Sequence, residues 1–206
     1  MDFFDAVTKH IQTKKFEKTE VDDKLIGVML YMANHAESAG DQQAWEFVVV
    51  RDEKVKKHLD DAALKIGVIK SAPISIVVCA DLTKQTLKYH ERGEYLYSLQ
   101  DTASAITIMQ LTAEILGLGT NWIRAFDEGK IKMILELPDD MRPVGIVSVG
   151  YPIEKVKERN LKPFENLTWL NRYRGKSNQS YMFQVGPKEE AFKPIVNQIL
   201  DKLKKK

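Results

Sequence analysis

Strands and helices interleave along this 206-residue chain, which places it in the α/β or α+β class with a mixed sheet. Three observations carry that reading. Runs rich in β-branched and aromatic residues, such as Trp45-Glu-Phe-Val-Val-Val50, alternate with stretches of helical apolar spacing. One run, Ile74-Ser-Ile-Val-Val-Cys-Ala80, is continuously apolar, as befits a strand covered on both faces. The composition, 44% hydrophobic and 29% charged residues, suits a chain that can bury a core. The length favours one domain, with two small ones possible.

Residues 2–9 read as a short helix and 22–37 as a better one. In the second, Leu25, Met29, Met32 and Ala36 share a face, and Asp22 or Asp23 is available as N-cap. Residues 45–50 form the first predicted strand, 53–69 a helix, and 74–80 the buried strand after Pro73. The longest helix is expected from about Arg92 to Leu116, and from Leu99 onward its apolar band is too wide for a surface helix. Gly117 and Gly119 end it. Residues 120–125 read as a strand, 127–137 as a helix capped by Asp127 and stopped by Pro138, and 143–149 as a fourth strand. Residues 153–187 are polar with scattered aromatics, a composition that suits packing against a partner subunit. Residues 188–206 read as a terminal helix ending in three lysines.

Several chemistries lack their residues. Lys plus Arg number 31 and Asp plus Glu 29, a balance that gives nucleic acid or a membrane surface no bulk attraction. No apolar stretch approaches the ~18 residues that span a bilayer. The start, Met1-Asp-Phe-Phe-Asp5, shows no signal-peptide pattern. The lone Cys79 excludes an intrachain disulfide and suits a reducing cytoplasm, as a small buried hydrophobe. None of the histidines at 10, 35, 58 and 90 has metal-ligand spacing to a partner. No nucleophile elbow of the G-x-S-x-G kind is present. Arg174-Gly-Lys-Ser177 imitates a phosphate loop, but Leu170 stands where its first glycine belongs. Gly117-Leu-Gly119 follows a helix rather than a strand, so it reads as a helix stop rather than a dinucleotide fingerprint.

Six motifs in order remain. They are His10-Ile-Gln-Thr-Lys-Lys-Phe16; Ala36-Glu-Ser-Ala-Gly-Asp-Gln-Gln-Ala-Trp-Glu-Phe47; and Ala72-Pro73 with the apolar run to Asp81. Then come Gln100-Asp-Thr-Ala-Ser-Ala105, leading to Leu116-Gly-Leu-Gly-Thr-Asn-Trp-Ile123 and Ala125-Phe-Asp127; Leu137-Pro138 with Arg142 to Pro152; and Lys162-Pro-Phe-Glu165. Together they resemble the nitroreductase family of flavin mononucleotide (FMN) enzymes over about residues 3 to 175. The resemblance implies an α+β sandwich, a mixed central sheet flanked by helices, and an intertwined homodimer with FMN at the subunit interface. It implies a domain over residues 1–175, with 176–206 as a C-terminal extension packing on the same domain or the partner.

FMN needs cations and N–H donors for its phosphate, a cation at its pyrimidine edge, and an N–H donor at N5. By position the resemblance assigns His10, Gln12 and Lys14 to the cofactor, with Lys14 at the pyrimidine edge. Arg159 and Lys162 match late basic residues that reach the phosphate, while position 161 is Leu where many members carry Arg. Ser38, Asp41 and Gln43 match a family Ser, Asn and Gln supplied by the other subunit, with Asp41 a departure that puts a carboxylate near the flavin. Glu37 and Ala44 stand in place of two prolines, so that loop is expected to be less rigid. Arg124 and Ala125 fall where backbone N–H groups approach N5, usually at glycine. Each assigned side chain also has an ordinary reading as a solvated surface group or turn residue.

The implied activity is an FMN-dependent oxidoreductase taking hydride from NAD(P)H. It passes electrons to a nitroaromatic, quinone or enone by a ping-pong scheme, with no dedicated catalytic side chain. The alternative is a dimer that binds FMN or a flavin-like ligand without robust reductase activity. A specialised branch, flavin breakdown by oxygen or reductive dehalogenation, is a third.

Overall fold

β-Branched residues at alternating positions build the sheet. In the computed structural model, which describes residues 2–153 and 160–175, four strands form it: β1 (Trp45–Val50), β2 (Ile74–Asp81), β3 (Gly119–Ile123) and β4 (Met141–Gly150). Their order is β1-β2-β4-β3, and every pairing among them is antiparallel. The parallel component of the expected mixed sheet is confined to one bridge, Gln12 beside Thr120. The chain divides into two compact units, 1–157 and 158–206. The first holds all four strands.

The helices of that unit are α1 (Phe3–Lys9), α2 (Asp23–Ala33), α3 (Glu53–Ala62), α4 (Val68–Ser71), α5 (Leu82–Arg92), α6 (Ser98–Ile115) and α7 (Glu128–Leu135). Two layers of apolar side chains cover the two faces of the sheet. Trp45, Ile74, Ile76, Val78, Val147 and Val149 face α2 and α6, while Val50, Val77, Cys79 and Ile146 face α3, α4 and α7. Both faces of β2 are thereby covered, as its apolar run requires. Burial, with the Glu46 carboxylate on the paired residue opposite, pushes the Cys79 thiol up to about 12, so it packs as a neutral hydrophobe.

Asp22, Asp52, Asp81 and Asp127 each cap a helix through a side-chain oxygen. Two expectations are corrected. The helix expected over 53–69 is two helices, because the buried Asp60 turns the chain between them. Its carboxylate accepts the Gly67 N–H at 2.9 Å, and Leu64 and Lys65 take left-handed φ of 61° and 55°. The stretch 82–92 is helical although only Leu82 and Leu87 are aliphatic there, too few for periodicity to be read. A five-residue π turn, Gly93–Tyr97, joins it to α6, with Gly93 pressed so closely on the Gln85 carbonyl that a Cβ would collide. The long helix therefore starts as α6 at Ser98 rather than at Arg92. The terminal helix expected over 188–206 lies outside the described residues.

Lys56 is 1% exposed and donates to the Ala72 carbonyl at 2.6 Å, closing the end of α4 before Pro73 starts β2. It also donates to the Pro73 carbonyl at 3.4 Å and to Glu53, which is 78% exposed, at 2.7 Å. Lys56→Met should cost about 1–3 kcal/mol in urea unfolding, since it strands a buried acceptor. Glu53→Gln should cost under about 1 kcal/mol. Equal costs for the two substitutions would contradict this division.

Candidate functional site

Helix α6 organises the candidate site. Its apolar residues Ala105, Ile106, Met109 and Ala113 are fully buried. Polar residues near its two ends each take hold of a different loop. Asp101, near the start, receives the Ala39 N–H on both carboxylate oxygens at 3.1 Å. Glu114, near the end, binds His10 Nδ1 at 3.0 Å. Thirteen residues at 1.5 Å rise put these anchors about 20 Å apart.

The first loop leaves α1 at His10 and runs along β3, an edge strand. The Thr13 N–H donates to the Thr120 carbonyl at 2.7 Å, and Asn121 Nδ2 donates to the Thr13 carbonyl at 2.8 Å. Gly119 permits this approach, because a Cβ there would collide with the Thr13 hydroxyl. Phe16 then pairs with Pro152 beyond β4. Thr13 and Phe16 point inward and are buried, which leaves Gln12 and Lys14 exposed on the sheet edge. His10 is half-spoken for: Glu114 engages one ring nitrogen and leaves the other.

The second loop, 38–43, enters β1, the opposite edge strand. Gly40, Asp41 and Gln43 all have left-handed φ, at 57°, 58° and 47°. Side chains brace them. The Gln43 N–H donates to Ser38 Oγ at 3.0 Å, and its amide donates to Asp41 Oδ1 at 2.8 Å. Lys88 on α5 donates to the Gly40 carbonyl at 2.9 Å. Gln85, fully buried on α5, donates to Asp101 Oδ2 at 2.5 Å. The loop expected to be loose for want of proline is thus held by side chains.

The structure groups His10, Gln12 and Lys14 at one sheet edge, with Arg124 and Ala125 exposed just past β3. It groups Ser38, Asp41 and Gln43 at the other. Three strand spacings, about 14 Å, separate the two edges. Arg159 lies outside the described residues, and Lys162 is exposed in the second unit. The supporting residues Asp101, Glu114, Gln85 and Lys88 were not singled out from sequence. Asp101 falls within the Gln100–Ala105 motif, and neither it nor Glu114 carries a local mark that sets it apart on this helix. Among the described residues no helix is long and apolar enough to cross a membrane, and no acidic, His or Cys cluster could hold a metal ion.

Comparison with known proteins bears on this geometry. The profile of the nitroreductase family matches residues 65–151. A candidate NADH dehydrogenase/NAD(P)H nitroreductase of Archaeoglobus fulgidus is 33% identical over 143 residues, 66% of this chain and 78% of its own. A similarly described protein of Methanothermobacter thermautotrophicus is 28% identical over 166 residues, 78% of this chain and 83% of its own. The solved structure of an FMN-dependent nitroreductase from Clostridium difficile R20291 superposes with a TM-score of 0.70 at 25% identity, covering 82% of this chain and 98% of that one.

Burial raises the Asp101 carboxyl above the ordinary aspartate range, against the opposing pull of the Ala39 N–H and the Gln85 amide. The folded chain therefore holds this proton more tightly than the unfolded chain does. The stability it contributes is present below the unfolded pKa and is lost as pH rises through the folded one. The stability of Asp101→Asn should rise relative to the parent as pH climbs past about 3.9. Urea unfolding over a pH series reads this, and parallel curves would refute it.

Proposed function

The chain belongs to the nitroreductase family, and from that membership we propose that it is an FMN-dependent oxidoreductase working as a homodimer. It takes hydride from NAD(P)H and, after that reductant leaves, delivers electrons to an electrophilic acceptor such as a nitroaromatic, quinone or enone. The observation that carries the reading is the separation of the two candidate residue groups to opposite ends of α6. A two-fold pairing of copies joins the Lys14 edge of one subunit to the 38–43 loop of the other. The exposed apolar side chains Val28, Tyr31 and Met32 of α2 and Leu99 and Ile115 of α6 offer the apolar surface such a pairing needs.

The donor set fits FMN. Lys14 supplies a cation for the pyrimidine edge, and Gln12 supplies an amide that can donate and accept. The backbone at Arg124 and Ala125 supplies N–H donors at an exposed strand end for N5. The resemblance assigns Arg159 and Lys162 to the phosphate, and on the first unit Glu114 leaves one ring nitrogen of His10 for the cofactor. FMN itself supplies the redox chemistry, accepting hydride and releasing electrons to the acceptor. The chain's residues bind and orient it, and the Lys14 cation stabilises the negative charge that reduction places on that edge. Ser38, Asp41 and Gln43 come from the partner subunit. The Gln43 amide donates to Asp41 at 2.8 Å and orients its carboxylate.

A second reading has its own observation. Glu114 binds His10 at 3.0 Å and takes up one ring nitrogen of a residue that the resemblance assigns to the cofactor, which favours a dimer that holds flavin weakly without robust turnover. Two measurements separate the readings. The purified protein with added FMN should show a flavin spectrum that bleaches anaerobically on adding NADPH or NADH. A protein that binds FMN and does not bleach would favour the second reading. Light scattering should give twice the chain mass of 23.6 kDa, and Leu99→Glu should yield a monomer whose affinity for FMN falls at least tenfold. A flavin-loaded monomer would overturn the interface site.

A further inference from the structure

Arg124 stands apart from the other arginines of the first unit. Arg51 donates to Asp23 and the Val21 carbonyl, Arg92 to the Tyr97 hydroxyl, and Arg142 to both oxygens of Glu128. Among the described residues, the Arg124 guanidinium has no hydrogen bond or ion pair. It is held instead by its face, 3.7 Å from the centroid of the Trp122 ring. That platform is fixed. Trp122 pairs with Val147 across β3 and β4, and its indole edge lies against Gly145, where a Cβ would collide with it. A guanidinium stacked by its face keeps its in-plane N–H groups free and aimed sideways. That is the geometry which grips a carboxylate or phosphate with two bonds. The side chain is exposed, so engaging an anion carries little desolvation cost.

We propose that Arg124 is a specificity-determining residue that recognises an anionic group on a reactant. This rests on the functional reading above, since it names which reactants the site prefers. The anion has two possible sources, an acidic group on the acceptor or the 2′-phosphate that distinguishes NADPH from NADH. Stacking keeps the guanidinium in place before the anion arrives, so little side-chain entropy is lost on binding. Lysine at this position would keep the charge and lose the fork and the stack.

The test uses the FMN-loaded protein as parent, Arg124→Ala and Arg124→Lys. One arm compares kcat/KM for 4-nitrobenzoate with that for its methyl ester, which carries the same reacting nitro group without the charge. The other compares NADPH with NADH against the ester. At least one ratio should fall about tenfold or more in Arg124→Ala and recover in part in Arg124→Lys. The ratio that falls identifies the source. Calorimetric titration with benzoate and with 2′,5′-ADP reads the same recognition without turnover, with affinity for one of them falling about tenfold in Arg124→Ala. Both ratios and both affinities within twofold of the parent would overturn the inference. A parent that lacks turnover with the uncharged ester, yet binds one of these anions through Arg124, would overturn the functional reading and leave the anion site standing.

Discussion

The burial of α6 is the constraint on which the rest of the arrangement depends. A helix whose residues Ala105, Ile106, Met109 and Ala113 are fully buried cannot leave the polar side chains beside them unpaired, because an unmet buried donor or acceptor costs on the order of 1–3 kcal/mol. Asp101, Gln110 and Glu114 must therefore find partners, and each finds one on a different segment. Asp101 takes the Ala39 N–H, Gln110 the Thr120 hydroxyl at 3.2 Å, and Glu114 the His10 ring. The loops that carry the candidate residues are positioned by the same bonds that make the helix tolerable in the core. Site geometry and core stability are thus one problem in this protein.

Much of the fold was legible because it rests on local pattern. The parity of β2, the aspartate caps and the width of the α6 apolar band all lie within a few residues of the features they predict. What was not legible depends on partners remote in sequence. Ala39 and Asp101 are 62 positions apart, and His10 and Glu114 are 104 apart. No local signal marks such pairs, so the residues that hold the site were missed while those exposed at it were named through resemblance. The break between α3 and α4 was missed for a related reason. Helical spacing continues through Leu64, and a single buried carboxylate, Asp60, overrides it.

The 38–43 loop shows how such a site is kept in place without proline. Backbone held at left-handed φ costs on the order of 1 kcal/mol per non-glycine residue. Asp41 and Gln43 both bear that cost. It persists because the loop is over-determined. Ser38 and Asp41 hold Gln43 from within, while Lys88 and Asp101 hold the backbone from two different helices. A proline acts by narrowing the unfolded ensemble. These bonds act on the folded state, so the order of this loop is coupled to the docking of α5 and α6 and does not belong to the loop alone.

Charge completes the argument. The chain is nearly neutral, at +2, so no long-range field draws an anion to it. Any preference must be local. Three carboxylates on or behind the two loops are hydrogen-bonded within the chain: Glu114 to His10, Asp101 to a backbone N–H and an amide, and Asp41 to Gln43. The cations along the β3 edge are not engaged in the same way. The Arg124 guanidinium rests on an aromatic face, which attracts a cation without neutralising it, and Lys14 projects beside the same strand. Lys14 and Arg124 thus give this edge a local positive charge, and the group that suits it is an anion.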